Sequence, residues 1–203
     1  MNKYIKSLNF SSREGQKVLA VVCHITDGDT RSVIQTFTNP KTQVSSHYLV
    51  CRSGDIIQFV DESSCAWANG KKVNPTAKVV LDNINLNPNL FTISVEHEAF
   101  NNEDLTEIQY VVSSKLIREI CQRHGLNISR ETIIRHREIR NDKACPGKLS
   151  IEKLIGLTFS PPQISQMEEI RIKISLLQQL LDLMRSLMVK RLGHYQSCSL
   201  SKD

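Results

Sequence analysis

The chain has 203 residues, enough to bury a full hydrophobic core, and one domain plus an extension is the simplest organisation. With 40% apolar and 23% charged residues it falls among ordinary globular proteins and outside the disordered class. Its net charge of +5 suits an anionic polymer such as cell wall or nucleic acid without selecting between them, and no run of about 18 apolar residues offers a membrane span.

Cys23, Cys51, Cys65, Cys121, Cys145 and Cys198 form no Cys-x-x-Cys pair, and several sit in apolar runs where a buried free thiol is the ordinary outcome. Residues 1–16 contain no apolar leader, so neither Sec-type export nor a disulfide framework is expected.

In chain order, the β-branched apolar run 17–23 predicts a buried strand that ends at His24 and a turn-forming Ile-Thr-Asp-Gly. Asp29 is placed to cap a short helix through Phe37, which Asn39-Pro40 stops. Segments 47–52 and 56–60 flank Ser53-Gly54-Asp55 and read as a hairpin. Residues 61–90 are turn-rich, carry the only tryptophan, Trp67, and read as functional surface rather than core.

Segment 91–96 predicts a further strand ending at Glu96. Asn101 or Asn102 can cap a helix running to His124, with Leu105, Ile108, Val111, Val112, Leu116, Ile117 and Ile120 on one face and Gly125 as the stop. A short strand at 132–134 leads into Arg135-His136. After Pro161-Pro162, residues Met167, Ile170, Ile174, Leu177, Leu181, Met184 and Met188 recur at alternating intervals of three and four, a heptad seam widened by Leu176, Leu180, Leu183 and Leu187. Such a helix needs a cover: self-association through 164–192, docking on the preceding domain, or a lipid surface approached through Lys173, Arg185, Lys190 and Arg191. The expected division is therefore 1–160 and 161–203.

Three places put a metal ligand or an acid–base group at the end of a predicted strand: His24, Glu96, and the stretch from His136 to Cys145. Catalytic zinc takes three protein ligands and leaves a position for water, which two imidazoles and a thiolate satisfy. Spacing alone makes a strand-end histidine more often structural or solvated than ligating, and a lone cysteine before Pro-Gly usually just a small buried residue.

At these residues the chain resembles the type 2 N-acetylmuramoyl-L-alanine amidases, a family that includes phage lysozyme-type amidases and peptidoglycan recognition proteins. The matching stretches are Val21-Val22-Cys23-His24-Ile25-Thr26; Ser45-Ser46-His47-Tyr48-Leu49-Val50 with Gly54 and Gln58; Thr92-Ile93-Ser94-Val95-Glu96; Arg135-His136; and Lys143-Ala144-Cys145-Pro146-Gly147. They occur in family order across about 17–158. The resemblance implies an α/β fold, a central mixed β-sheet flanked by helices; the C-terminal amphipathic helical extension lies outside the resemblance and is expected from the heptad seam. The resemblance further implies Zn2+ on His24, His136 and Cys145, Glu96 as general base and Lys143 as the oxyanion partner. His47, Trp67 and Asn69 are expected to line the substrate groove.

Two departures stand out. Ser46 occupies a position where many relatives carry a tyrosine that assists the chemistry, which throws the proton work onto Glu96. Trp67-Ala68-Asn69-Gly70 replaces the common Trp-His-Ala-Gly and removes a histidine expected to touch substrate. The implied activity is hydrolysis of the amide between N-acetylmuramic acid and L-alanine in peptidoglycan or muropeptides, with no nucleic-acid partner. The alternatives are a non-catalytic peptidoglycan-recognition module and a cytosolic muropeptide-recycling amidase. The missing leader fits a phage-type lysin released through a holin, or the recycler.

Overall fold

The computed structural model describes residues 2–159 and, further on, residues 180, 181, 184, 185 and 188. Contacts divide the chain into two units, Met1–Pro161 and Pro162–Asp203.

The first unit is built on a six-stranded mixed sheet. Its strands are β1 (Asn2–Tyr4), β3 (Ala20–Ile25), β4 (Tyr48–Val50), β5 (Ile56–Gln58), β7 (Thr92–His97) and β8 (Ile133–Arg135). The order across the sheet is β1-β5-β4-β7-β3-β8, and only the β4–β5 hairpin is antiparallel within it. A two-stranded ribbon of β2 (Phe10–Ser12) and β6 (Ser64–Ala66) lies apart from it. The central strands β3 and β7 are buried on both faces because both faces are covered, as parallel strands require; β3 is mostly apolar, whereas β7 turns Thr92, Ser94 and Glu96 to one face.

Helix α1 (Thr30–Thr38) starts where expected, with the Asp29 carboxylate accepting from Ser32 N at 2.7 Å. Helices α2 (Lys78–Asp82), α3 (Glu107–His124) and α4 (Ile151–Phe159) complete the unit. Side chains alternate along β3. Val21, Cys23 and Ile25 enter the core shared with Leu116, Ile117 and Ile120 of α3 and Leu154 of α4. Ala20 and Val22 enter a smaller core with Val80 of α2, Phe91, Ile134 and Ile139. No helix among the described residues is long and apolar enough to cross a membrane.

Three expectations need correction. The long helix is capped by Thr106, not Asn101 or Asn102, through a capping box in which Thr106 and Gln109 satisfy each other's backbone N–H groups. Its buried face is also more polar than the apolar stripe predicts: Ile108 is exposed while Gln109, Ser113 and Ser114 are buried. The reason is satisfaction of strand-end groups, since the Gln109 amide donates to the carbonyls of Val50 and Glu98. Finally, 61–90 is not merely surface: Ala66, Asn69, Ala77 and Val80 are buried there, as are Pro88, Asn89 and Leu90.

Glu62 ties the end of α3 to the sheet. Its carboxylate accepts from Tyr48 Oη at 2.7 Å, Arg123 Nη2 at 2.6 Å and His124 Nε2 at 2.7 Å. Burial alone pushes this carboxyl up, but the hydrogen bonds from Arg123, Tyr48 and His124 outweigh it and hold the group at about 2. A carboxyl depressed on folding stabilises fully above its unfolded value, about 4.3, and that contribution is lost as pH falls through the folded value. We therefore expect Glu62→Gln to lower the melting temperature clearly at pH 6, by a term on the order of 2 kcal/mol. The gap between variant and parent should close between about pH 4.5 and 2; thermal melts across that range check it, and a gap independent of pH would contradict it.

Of the second unit, residues 180, 181, 184, 185 and 188 are helical, with Leu180, Leu181, Met184 and Met188 exposed. The rest of the proposed heptad seam, and the tail beyond it, lie outside the described residues.

Candidate active site

The three regions marked in the sequence meet at the carboxyl ends of β3, β7 and β8, where parallel sheets generally place their ligands. The register sets His24 beside Glu96 across the β3–β7 pair. His24 follows Ala20 and Val22 on the α2 side of the sheet. His136 is the first residue past β8 and opens a short 3-10 turn, His136–Glu138.

Cys145 arrives from the loop that follows this turn. The Ile25 N–H donates to its Sγ at 3.4 Å, and its carbonyl accepts from Arg137 N at 3.0 Å. Two residues on, Gly147 has φ +59°, and a Cβ there would lie 2.7 Å from Ile25 Cδ1 and 2.9 Å from the Asn101 carbonyl. Only glycine combines that backbone with so close an approach, which is why Cys-Pro-Gly can bring sulfur to the end of β3.

His24, His136 and Cys145 form a group able to hold a metal ion: one potential ligand atom from each lies within 4.8 Å of the others. Cys145 Sγ is 3.8 Å from His24 Nδ1. The two imidazole centroids are 4.5 Å apart with planes inclined at 51°. A tetrahedral ion with Zn–N of about 2.05 Å and Zn–S of about 2.3 Å separates N and S by about 3.6 Å, so the observed spacing is that of a coordination edge.

The donor chemistry fits as well. Burial pushes both imidazoles down, His24 well below its usual range, with the neighbouring His136 adding to the effect there. Burial, then the charge of Glu96, pushes the Cys145 thiol up. Burial also raises the Glu96 carboxyl to about 8. All four groups resist charging when left to themselves: the imidazoles are already in the neutral form a cation needs, and a divalent cation would reverse the preference of the thiol and the carboxyl.

Glu96 stands at this cluster with Oε1 3.9 Å from His24 Nδ1, while its buried Oε2 has no hydrogen-bond partner among the described residues. Its side chain is 14% exposed, which leaves it reachable by a small molecule. Lys143 is exposed on the loop before Cys145, and its charge is among those that press the His136 ring toward neutrality. His97, next in sequence to Glu96, points to the other face, where its ring bonds the His24 carbonyl at 2.8 Å and Ser113 Oγ at 2.7 Å.

The expected groove residues separate. Trp67 is partly exposed, its indole N–H donating to Ser11 Oγ at 3.2 Å. His47 and Asn69 are wholly buried, which removes both from the surface a substrate can reach. The His47 Nδ1 accepts from Ser94 N at 3.0 Å, and its Nε2 lies 3.1 Å from the Ser64 carbonyl and 2.9 Å from Arg13 Nη2. Burial and the Arg13 charge lower this ring to about 3, so it is a neutral member of the core. Ser46 is buried too, its hydroxyl donating to the Ser94 carbonyl at 2.8 Å.

Sequence reasoning missed Arg13. Its guanidinium is buried and donates to the carbonyls of Glu62, Leu90 and Thr92 at 2.7, 2.9 and 3.0 Å, fastening β2 and the approach to β7. An isolated arginine in a polar stretch gives no sign of such partners.

Two imidazoles and a thiol beside a buried carboxylate, at the ends of parallel strands, make a candidate metal centre equipped with its own acid–base group. The model of the family described as N-acetylmuramoyl-L-alanine amidase matches residues 14–148, and the chain belongs to that family. All four of these residues fall within the match. The chain is 34% identical over 124 residues to N-acetylmuramoyl-L-alanine amidase A of Achromobacter lyticus. That match covers 60% of this chain and spans 60% of the relative's length.

Among solved structures, a selenomethionine derivative of AmpD is similar with TM-score 0.64 at 19% identity, over 77% of this chain and 93% of that one. The N-acetylmuramoyl-L-alanine amidase LysC from Clostridium intestinale URNW is similar with TM-score 0.57 at 16% identity, over 77% and 95%. At such identities the likeness establishes the fold: a mixed central sheet flanked by helices.

Proposed function

We propose that the protein is a zinc-dependent N-acetylmuramoyl-L-alanine amidase that cleaves the amide joining N-acetylmuramic acid to L-alanine in peptidoglycan. The observation that carries this reading is the convergence of His24, His136 and Cys145 within ligand distance of one another, with Glu96 at its edge.

The three residues would hold Zn2+, which supplies an acidified water and polarises the scissile carbonyl. The remaining work belongs to the chain. Glu96 takes the proton from the attacking water and returns it to the departing alanine nitrogen. Lys143, on the exposed loop beside the cluster, offsets the negative charge that develops on the carbonyl oxygen. The half-open face of Trp67 forms a wall against which the saccharide or stem peptide packs.

The retained donor set favours an enzyme over a module that only binds wall, because recognition alone needs neither a thiol ligand nor a buried base. The net charge of +5 suits an anionic wall polymer, and we propose a lytic role of the phage type over muropeptide recycling.

Incubating the purified full chain and zinc with isolated cell wall tests both levels. Release of peptides with a new L-alanine N-terminus, without new reducing sugar ends, is the expected result. Wall binding without peptide release would overturn the enzyme reading. Turnover of small soluble muropeptides with intact wall left untouched would overturn the lytic role.

A further inference from the structure

His97 ends β7 one residue past Glu96 and is wholly buried on the α3 side of the sheet, away from the metal cluster. Both nitrogens of its ring are engaged. Nδ1 lies 2.8 Å from the main-chain carbonyl of His24, and Nε2 lies 2.7 Å from Ser113 Oγ, itself buried on α3. A carbonyl only accepts, so Nδ1 carries a proton, and Nε2 is the acceptor left for the Ser113 hydroxyl. Hydrogen bonds thus run in one direction from helix to strand, Ser113 to His97 to the backbone of His24.

The place of that carbonyl gives the bond its consequence. The β3–β8 ladder pairs Val21, Val22 and Cys23 and stops, while β3 runs on to Ile25. His24 and Ile25 therefore keep a strand neighbour, β7, along one edge only. Their other edge meets the Cys145 loop, where the Ile25 N–H reaches Sγ at 3.4 Å. Two residues further the chain bends away at Asp27, with φ +48°. A strand end that has lost a neighbour is where local opening starts, and here it carries a proposed ligand. Helix α3 secures the adjoining strand ends one turn earlier, through the Gln109 amide and the carbonyls of Val50 and Glu98. Ser113, four residues on, lies on the same helix face and extends that grip to β3 by way of His97.

We propose that His97 is a positioning residue for the metal centre: braced by Ser113, its Nδ1–H holds the His24 main chain from one face of the sheet so that the His24 imidazole is presented to the ion on the other. This rests on the zinc reading given above. Groups behind the ligands set ligand orientation, and their loss weakens metal binding without removing a donor. The role is separable from packing. Leucine fills similar space with no donor, whereas the amide nitrogen of asparagine stands as many bonds from Cα as Nδ1 does.

Zinc affinity of the full chain, measured by competition with a chromogenic chelator well below the melting temperature, tests this. His97→Leu should bind zinc about five- to tenfold more weakly, and His97→Asn should recover most of that loss. Ser113→Ala should shift affinity in the same direction by less. In nitrogen-15 spectra of the wild-type protein, His97 should carry a slowly exchanging proton on Nδ1 and none on Nε2.

Wild-type zinc affinity in a folded His97→Leu would overturn the inference. So would equal losses in the leucine and asparagine variants, which would leave His97 with a packing role alone. If His97→Leu does not fold, the wild-type spectrum decides, and a His97 proton on Nε2 instead of Nδ1 overturns it. A wild-type chain that binds no zinc would refute the metal reading beneath, a separate outcome that the His97 tautomer does not affect.

Discussion

Replacing Cys145 with serine is expected to abolish metal binding and hydrolysis together. Serine is nearly isosteric, so the loop can still close on Gly147 and the Ile25 N–H still has an acceptor within reach. What disappears is the thiolate, the only donor of the three that neutralises part of a dication's charge. Zinc content should fall from about one ion per chain to near none after dialysis. Loss of several kcal/mol of transition-state stabilisation by the ion corresponds to about a thousandfold or more in rate. Burial and the nearby Glu96 disfavour the charged sulfur, so a bound cation would have to supply the stabilisation that the thiolate lacks on its own. Cys145→Asp is the informative companion. A carboxylate restores the anionic donor, so partial zinc retention with partial activity should follow, whereas serine gives neither.

The second large effect is expected at Glu96, and it should have the opposite signature. Glu96→Gln preserves shape and removes only the ability to carry a proton, so zinc content should stay at the wild-type level while turnover drops by roughly 10²–10⁴-fold. The carboxylate lies 3.9 Å from His24 Nδ1, beyond hydrogen-bond distance. Among the described residues its Oε2 has no hydrogen-bond partner that would give it a structural role instead. Metal analysis beside the wall assay separates the cases. A fully active Glu96→Gln would assign the proton transfer to another group. A variant that loses zinc along with activity would make Glu96 a ligand.

Much of this centre is legible in the sequence because each part carries a local signal that is also its physical cause. His24 ends an apolar β-branched run, so a strand-end imidazole is expected there, and β3 places it at that end. Cys145-Pro146-Gly147 announces a tight loop, and Gly147 does what only glycine can do against Ile25 and Asn101. Glu96 closes a second such run, and pairing of β3 with β7 sets it across from His24.

The parts that escaped notice depend on contacts that no local pattern encodes. Arg13 acts through carbonyl groups of residues distant in sequence, and the His136 ring likewise meets the Asn69 main-chain oxygen; a backbone oxygen has no residue type. His47 looked like a cleft residue because it stands in a family-like segment, yet its ring is consumed by Ser94, Ser64 and Arg13. Strands β1, β2 and β6 have three residues each, too few for a period of two to show. The start of α3 was readable, since Thr106-x-x-Gln109 is a capping box, but the asparagines upstream compete for the same role.

The central claim is that two imidazoles and one sulfur bind a single ion and leave a fourth position open. X-ray absorption at the zinc edge of the loaded full chain tests this directly. The account predicts one sulfur at about 2.3 Å, two imidazole nitrogens at about 2.0–2.1 Å, and one further light atom that an added thiol inhibitor replaces with a second sulfur. A zinc shell without sulfur, or one already closed by four side chains and indifferent to the inhibitor, would contradict it.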